Sequence, residues 1–172
     1  MGSEMYIVKE ELLGDAKDRV LKLDRDAKKL LVYKRVGNEK LHDHYSIRKD
    51  FDSSPYVMYE VEKTFDCIFG GEKSPTPEGV FNVLSKTTDE YVSGYYPEHD
   101  KVKFFGYLVI FEDYFIHSHL YDGSVTAEAM RNDPSIQPIS KGDDHTSGCI
   151  RVAQENLDWL VENVEVGTMV VF

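Results

Sequence analysis

The stretch KFFGYLVIFEDYFIHSH, residues 103–119, decides the fold class. It is crowded with aromatic and β-branched side chains, which fit a pleated, half-buried surface. The pair Glu112-Asp113 interrupts the run, so it reads as two strands meeting at a tight turn. Working outward, RVLKLD (19–24) and KKLLVYK (28–34) flank Arg25-Asp26-Ala27 as a second hairpin. Further strands are expected over 56–69, 79–85 and 90–96, and TMVVF follows Gly167 as a final strand. The Gly- and Pro-rich GGEKSPTPEG (70–79) is a loop. Two segments look helical. One spans 126–131 and stops before Asn132-Asp133-Pro134. The other spans 153–164 and places Leu157, Leu160, Val161 and Val164 on one face. The expectation is a single, mainly β domain with a short helix near the C-terminus.

Composition narrows the function. The chain has 172 residues, long enough to bury a core without staples. It carries 20 Lys and Arg against 31 Asp and Glu, a net charge of −11. Nucleic acid and anionic membrane surfaces are disfavoured partners, because phosphate contacts need a basic face. No apolar run approaches the ~20 residues of a membrane helix, and MGSEMYIVKEELLG shows no signal-peptide pattern. Cys67 and Cys149 permit one disulfide but no disulfide framework. Cys67, in TFDCIF, reads as a buried core thiol, and Trp159 as a packing residue. His42 and His44 fall one residue apart in an expected strand and suggest solvated side chains rather than metal ligands.

The hexapeptide TSGCIR, 146–151, poses the chemical question. A thiolate is the nucleophilic form of cysteine, and an ordinary thiol pKa of ~8.5 leaves little of it at neutral pH. A nucleophilic Cys149 therefore needs a neighbouring base. Gly148 would let a substrate approach closely, and the backbone amides of Ser147, Gly148 and Cys149 are candidates for stabilising an oxyanion. His117, His119 and His145 are the nearest imidazoles in sequence, with 117 and 119 on one face of an extended strand. Spacing alone does not choose among them, and a lone cysteine is ordinarily a small packing residue.

TSGCIR resembles the signature of the L,D-transpeptidase catalytic domain (YkuD-like) family, Ser or Thr followed by a variable residue, Gly-Cys and Ile-Arg. The family's upstream His followed by Gly or Ser is matched by His117-Ser118 in FIHSH. Its Thr-Pro-x-Gly is matched by Thr76, Pro77 and Gly79. VLKLDRDAKKLLVY and VGTMVVF also fit, so the resemblance covers 19–172 and leaves 1–18 as an N-terminal extension. It departs at Ser147, where most members carry His. It departs again in the spacing from His117 to Cys149, which is lengthened by 121–144, a segment that could cover the site as a lid.

The resemblance implies a β-sandwich or barrel-like domain acting on peptidoglycan stem peptides without a cofactor or metal. It implies Cys149 as nucleophile, His117 as base, Ser118 as orienter of that imidazole through side chain or backbone, and Gly148 beside the oxyanion. Arg151, Ser147, Thr146 and His119 would line the substrate site, with a structural ion pair an even alternative for Arg151. His119 and His145 compete with His117, and His145 could substitute for the imidazole missing at 147, but the preferred reading is that both line the cleft or face solvent. The expected reaction transfers an acyl group from a stem tetrapeptide, with loss of D-alanine, to an amine. Hydrolysis of the same thioester, or an inactive wall-binding protein, are the competing readings. The substrate implies a place outside the cytoplasm, in the cell envelope.

Overall fold

A computed structural model describes residues 5–37, 55–93 and 96–172. Eleven strands are formed among them: β1 (Met5–Lys9), β2 (Ala16–Asp24), β3 (Lys29–Val36), β4 (Tyr56–Asp66), β5 (Val80–Asn82), β6 (Ser85–Ser93), β7 (Val102–Phe111), β8 (Tyr114–Ser118), β9 (Tyr121–Asp122), β10 (Ile150–Val152) and β11 (Thr168–Val171). The helices are α1 (Ala127–Asn132) and α2 (Gln154–Asn163), with a 3₁₀ turn at Glu10–Leu12. The chain is mainly β with a short helix near its C-terminus, as the sequence leads one to expect. It divides into two compact units, Met1–Phe65 with Glu78–Val83 and Glu165–Phe172, and Asp66–Pro77 with Leu84–Val164. His42 and His44 lie outside the described residues.

The first unit holds a six-stranded sheet in the order β1-β4-β3-β2-β11-β5. Its core gathers Val8, Val20, Leu31, Tyr33, Val57, Tyr59 and Met169 from one face. The buried Tyr59 hydroxyl donates to the Lys17 carbonyl at 2.7 Å, which satisfies the one polar group that ring brings inside. The β2–β3 turn falls where expected, with Asp24 Oδ1 accepting from the Ala27 amide and Lys28 at φ 54° turning the chain back. β1 falls within residues 1–18 and pairs antiparallel with β4.

The strands expected over 79–85 and 90–96 are redrawn. β5 ends at Asn82, and Ser85 already begins β6, which ends at Ser93. Their hydrogen bonds explain the break. The Val83 amide donates to Thr168 O beside β11, whereas the next amide, Leu84, donates to Val109 O on β7. The strand expected over 56–69 likewise ends at Asp66.

In the second unit the strand order is β10-β8-β7-β6, with β9 on β7. β7 and β8 form the expected hairpin, Glu112-Asp113 making the turn with Glu112 at φ 47°. α2 buries Leu157 and Leu160 on the sheet, and Gln154 Nε2 donates to Phe105 O at 2.8 Å. α1 is capped by Thr126, whose hydroxyl accepts from the Ala129 amide.

One irregularity shapes the face opposite α2. Opposite Gly106 on β7, β6 carries two residues, Thr88 and Asp89, a bulge between the pairs Thr87–Tyr107 and Glu90–Phe105. Gly106 sits at φ +90°, and a Cβ there would lie 3.1 Å from Leu157 Cδ2 and 3.2 Å from Thr87 O. The kink turns Phe104 and Tyr107, three residues apart, into edge contact on one face. Gly106→Ala is expected to destabilise the protein by about 1–3 kcal/mol through that backbone strain. The check is a lower urea midpoint at an unchanged m-value.

Candidate active site

The candidate residues are assembled by strand register. β10 runs parallel to β8, pairing Ile150 with Ile116, Arg151 with His117 and Val152 with Ser118. On the other side of β8, Tyr107 pairs with His117 and Val109 with Phe115. Paired residues share a face of a sheet and neighbours in sequence alternate. Arg151, His117 and Tyr107 therefore form one row, and Ser118 falls on the opposite face. Cys149 immediately precedes β10, and its Sγ lies beside the next row. The Phe115 amide donates to Sγ at 3.4 Å, and the thiol donates to Asp113 O at 3.4 Å.

His117 is 5 % exposed. Its Nδ1 lies 2.6 Å from the Ser118 carbonyl, which can only accept, so the proton is on Nδ1 and the Nε2 lone pair is free to act as a base. The ring stacks on Phe104, with centroids 3.9 Å apart and planes 17° from parallel. Burial drives the imidazole pKa down to about 3; the Ser118 carbonyl opposes this, and the Arg151 and His119 charges add to it. Ser118 orients the imidazole through its backbone. Its hydroxyl instead accepts from the Phe105 amide and donates to His119 O, both at 3.1 Å.

Burial raises the Cys149 thiol above its ordinary value, against a smaller lowering by the Phe115 amide and Arg151. Both partners thus rest uncharged, and no hydrogen bond joins Sγ to His117 among the described residues.

The other candidates divide. Gly148 has φ +131°, and a Cβ there would come within 2.6 Å of the Tyr114 ring. Its amide donates to Thr146 Oγ1 at 3.0 Å and so is occupied, which leaves Ser147 and Cys149 as the oxyanion candidates of the three. Thr146 is buried, with its hydroxyl also donating to Cys149 O, and serves the loop itself. Ser147 is exposed. Arg151 forms an ion pair with Asp143 at 2.8 Å, and Asp143 also accepts from the Tyr96 hydroxyl at 2.8 Å. Among the described residues, Arg151 Nε and His119 Nδ1 are buried without a hydrogen-bond partner. His145 is exposed and bonded to Asp144, and Cys67 is buried and not in a disulfide. Among the described residues no cluster of His, Cys, Asp or Glu could hold a metal, and no helix is long and apolar enough to cross a membrane.

Sequence reasoning passed over Asp143, Tyr96 and Phe104, which reach the site through tertiary contacts. The segment 121–144 holds β9 and α1. Arg131 of α1 pairs with Asp158 of α2, and Asp143 joins the end of the segment to β10.

The family model of the L,D-transpeptidase catalytic domain, YkuD, matches residues 56–172. No curated protein matches the sequence. Among solved structures, an L,D-transpeptidase from Mycobacterium smegmatis is similar at 19 % identity and a TM-score of 0.55, over 90 % of this chain and 58 % of that one. L,D-transpeptidase 1 of Mycobacterium tuberculosis is similar at 15 % identity and a TM-score of 0.54, over 90 % and 60 %. A cysteine-to-serine mutant of the Enterococcus faecium L,D-transpeptidase gives 18 % and 0.54, over 90 % and 49 %. The chain thus spans about half to three fifths of the length of these structures.

The buried imidazole makes a pH prediction. Its folded pKa lies below the unfolded value of ~6.5, so the unfolded chain takes up the proton first. The associated stability is complete above about pH 6.5 and is lost as pH falls from there toward 3. His117→Gln should flatten the decline of the urea midpoint between about pH 6.5 and 5. A residual slope should remain from His119, which burial also lowers.

Proposed function

The chain belongs to the L,D-transpeptidase catalytic domain family, and on that premise we propose that it is a peptidoglycan L,D-transpeptidase working through a Cys149 thioester. The observation that carries the reading is the 2.6 Å bond from His117 Nδ1 to Ser118 O, which presents a neutral Nε2 as base on the strand beside Cys149.

In the proposed reaction the Cys149 thiol leaves Asp113 O and turns toward His117. Sγ attacks the carbonyl of the third stem residue as its proton passes to Nε2. The Cys149 amide receives the oxyanion, with Ser147 a second candidate donor. The tetrahedral species collapses by breaking the carbonyl–nitrogen bond, and the imidazolium returns its proton to the departing D-alanine amine. An amine of a second stem then attacks the thioester, gives its proton to Nε2, and the thiolate leaves and is reprotonated. The balance closes without a cofactor. The burial of His117 and the partial burial of Cys149 support this order of events, because each favours the uncharged form until charge develops in the course of reaction. Such a substrate puts the protein outside the cytoplasm, in the cell envelope.

The test incubates the protein with a synthetic stem tetrapeptide and excess D-methionine, and follows peptide and protein mass. Exchange of the terminal D-alanine is expected, with a thioester adduct on the protein. Cys149→Ala should lower exchange by ~10⁴-fold or more, to background, and His117→Gln by ~10²–10⁴-fold. Release of D-alanine without exchange would assign hydrolysis instead. Absence of both exchange and adduct would overturn the enzyme reading.

A further inference from the structure

Three hydroxyls grip the loop that carries Cys149, each on a different carbonyl. Ser74 Oγ donates to Ser147 O, Thr76 Oγ1 to Gly148 O, and Thr146 Oγ1 to Cys149 O, all at 2.6 Å. The ends of this loop are held by backbone pairing to the segment before Ser74. Ile68 exchanges hydrogen bonds with Arg151 at 3.1 and 3.0 Å, Thr146 N donates to Phe69 O at 2.8 Å, and Gly71 N donates to Thr146 O at 3.2 Å. The backbone ladder therefore fixes where the loop begins and ends, and the hydroxyls fix how its peptide planes are turned.

Thr76 differs from the other two. It is 2 % exposed, and its Oγ1 also accepts from the Gly70 amide at 2.9 Å, so both its donor and its acceptor are committed. The plane it holds joins Gly148 to Cys149. In a trans peptide the C=O and N–H point in opposite directions, and no cis bond occurs among the described residues. With the Gly148 carbonyl drawn inward onto a buried hydroxyl, the Cys149 N–H is turned the other way, outward. The neighbouring Gly148 N–H is already taken by Thr146. A free rotation of this plane would exchange the two groups and present a carbonyl oxygen to the developing negative charge.

We propose that Thr76 is a positioning residue for acyl transfer, its hydroxyl locking the Gly148–Cys149 peptide plane so that the Cys149 amide is the preformed oxyanion donor. The proposal rests on the reading of Cys149 as nucleophile. It assigns no substrate contact to Thr76 and is independent of which acyl donor the protein uses.

Two reactions at the same sulfur separate this role from a structural one. Acetylation by p-nitrophenyl acetate passes through a tetrahedral oxyanion, whereas alkylation by iodoacetamide displaces iodide at a saturated carbon and forms none. Thr76→Val keeps the shape and removes the hydroxyl. It should slow single-turnover acetylation of Cys149 by ~10–10³-fold while alkylation stays within about twofold. Thr76→Ser, which restores a hydroxyl, should recover most of the acetylation rate. Ser74→Ala acts on a different plane and should leave the ratio of the two rates unchanged. If the valine variant does not fold, as read by its thermal transition, Thr76→Ala takes its place. The proposal is overturned by unchanged acetylation in the hydroxyl-free variant, by a parallel fall in both rates, or by a folded serine variant that fails to recover. Wild-type protein that is alkylated but never acetylated at Cys149 would overturn the nucleophile reading and this proposal together. Acetylation of wild type with no effect at Thr76 would overturn this proposal alone.

Discussion

The parallel pairing of Ile150–Val152 with Ile116–Ser118 is the constraint on which the candidate site depends. Only three residues long, it sets Arg151 beside His117 and brings the preceding Cys149 against Phe115. A one-residue slip would send Arg151 and Cys149 to the opposite face, because side chains alternate along a strand. Parallel neighbours also cannot be joined by a tight turn and need a crossover of a dozen or more residues. The long spacing between His117 and Cys149 is therefore a topological requirement in part, with β9 and α1 filling what exceeds it. The register is defended from both sides. Ile116, Ile150 and Val152 are fully buried, and the Ile68–Arg151 bridge ties the outer side of β10.

Burial then sets the chemistry. Burial beside Phe104 holds the imidazole pKa of His117 down, and partial burial raises the Cys149 thiol. An uncharged thiol and imidazole avoid the cost of holding a second ion pair beside Arg151 and Asp143 in a medium of low dielectric. In the proposed reaction the burden then falls on groups that meet charge only as it appears, which is where a fixed backbone amide is most effective. In that proposal the imidazole and the anchored loop have complementary parts. The carbonyl of Ser118 sets the tautomer, and the hydroxyl of Thr76 sets the peptide plane.

The sequence showed the hairpin of 103–119 in full, because aromatic density and the Glu112-Asp113 break are local signals. It also showed α2, where Leu157 and Leu160 are buried as their spacing requires, with Val164 buried at its C-cap and Val161 half-buried. β1 was not legible, since five residues without a turn signal acquire strand character only by pairing with β4. β10 hid inside the TSGCIR motif for the same reason, as did the division of 79–85 between two sheets. Cys149, His117 and Ser118 were singled out as candidates through the family resemblance and not through spacing, which could not rank three histidines. Thr76 was visible as part of Thr-Pro-x-Gly, but its partner, Gly148 O, lies 72 residues away. No local pattern connects a hydroxyl to a carbonyl across that distance.

Arg151 shows how such long-range contacts decide a role. On β10 it stands beside His117, and its charge lowers the proton affinity of both His117 and His119. An unbalanced guanidinium in that position, 11 % exposed at its side chain, would be costly and would suppress the imidazole further as a base. Asp143 neutralises it at 2.8 Å and raises the His119 pKa in opposition, while the Tyr96 hydroxyl holds the second carboxylate oxygen. Asp143 belongs to the crossover, six residues before Cys149. The same contact therefore moderates the field around His117 and fastens the approach to Cys149. A buried ion pair adds little net stability against an apolar alternative of equal volume. Its value here is directional, because it ties the register of a three-residue strand to the electrostatics of the imidazole beside it.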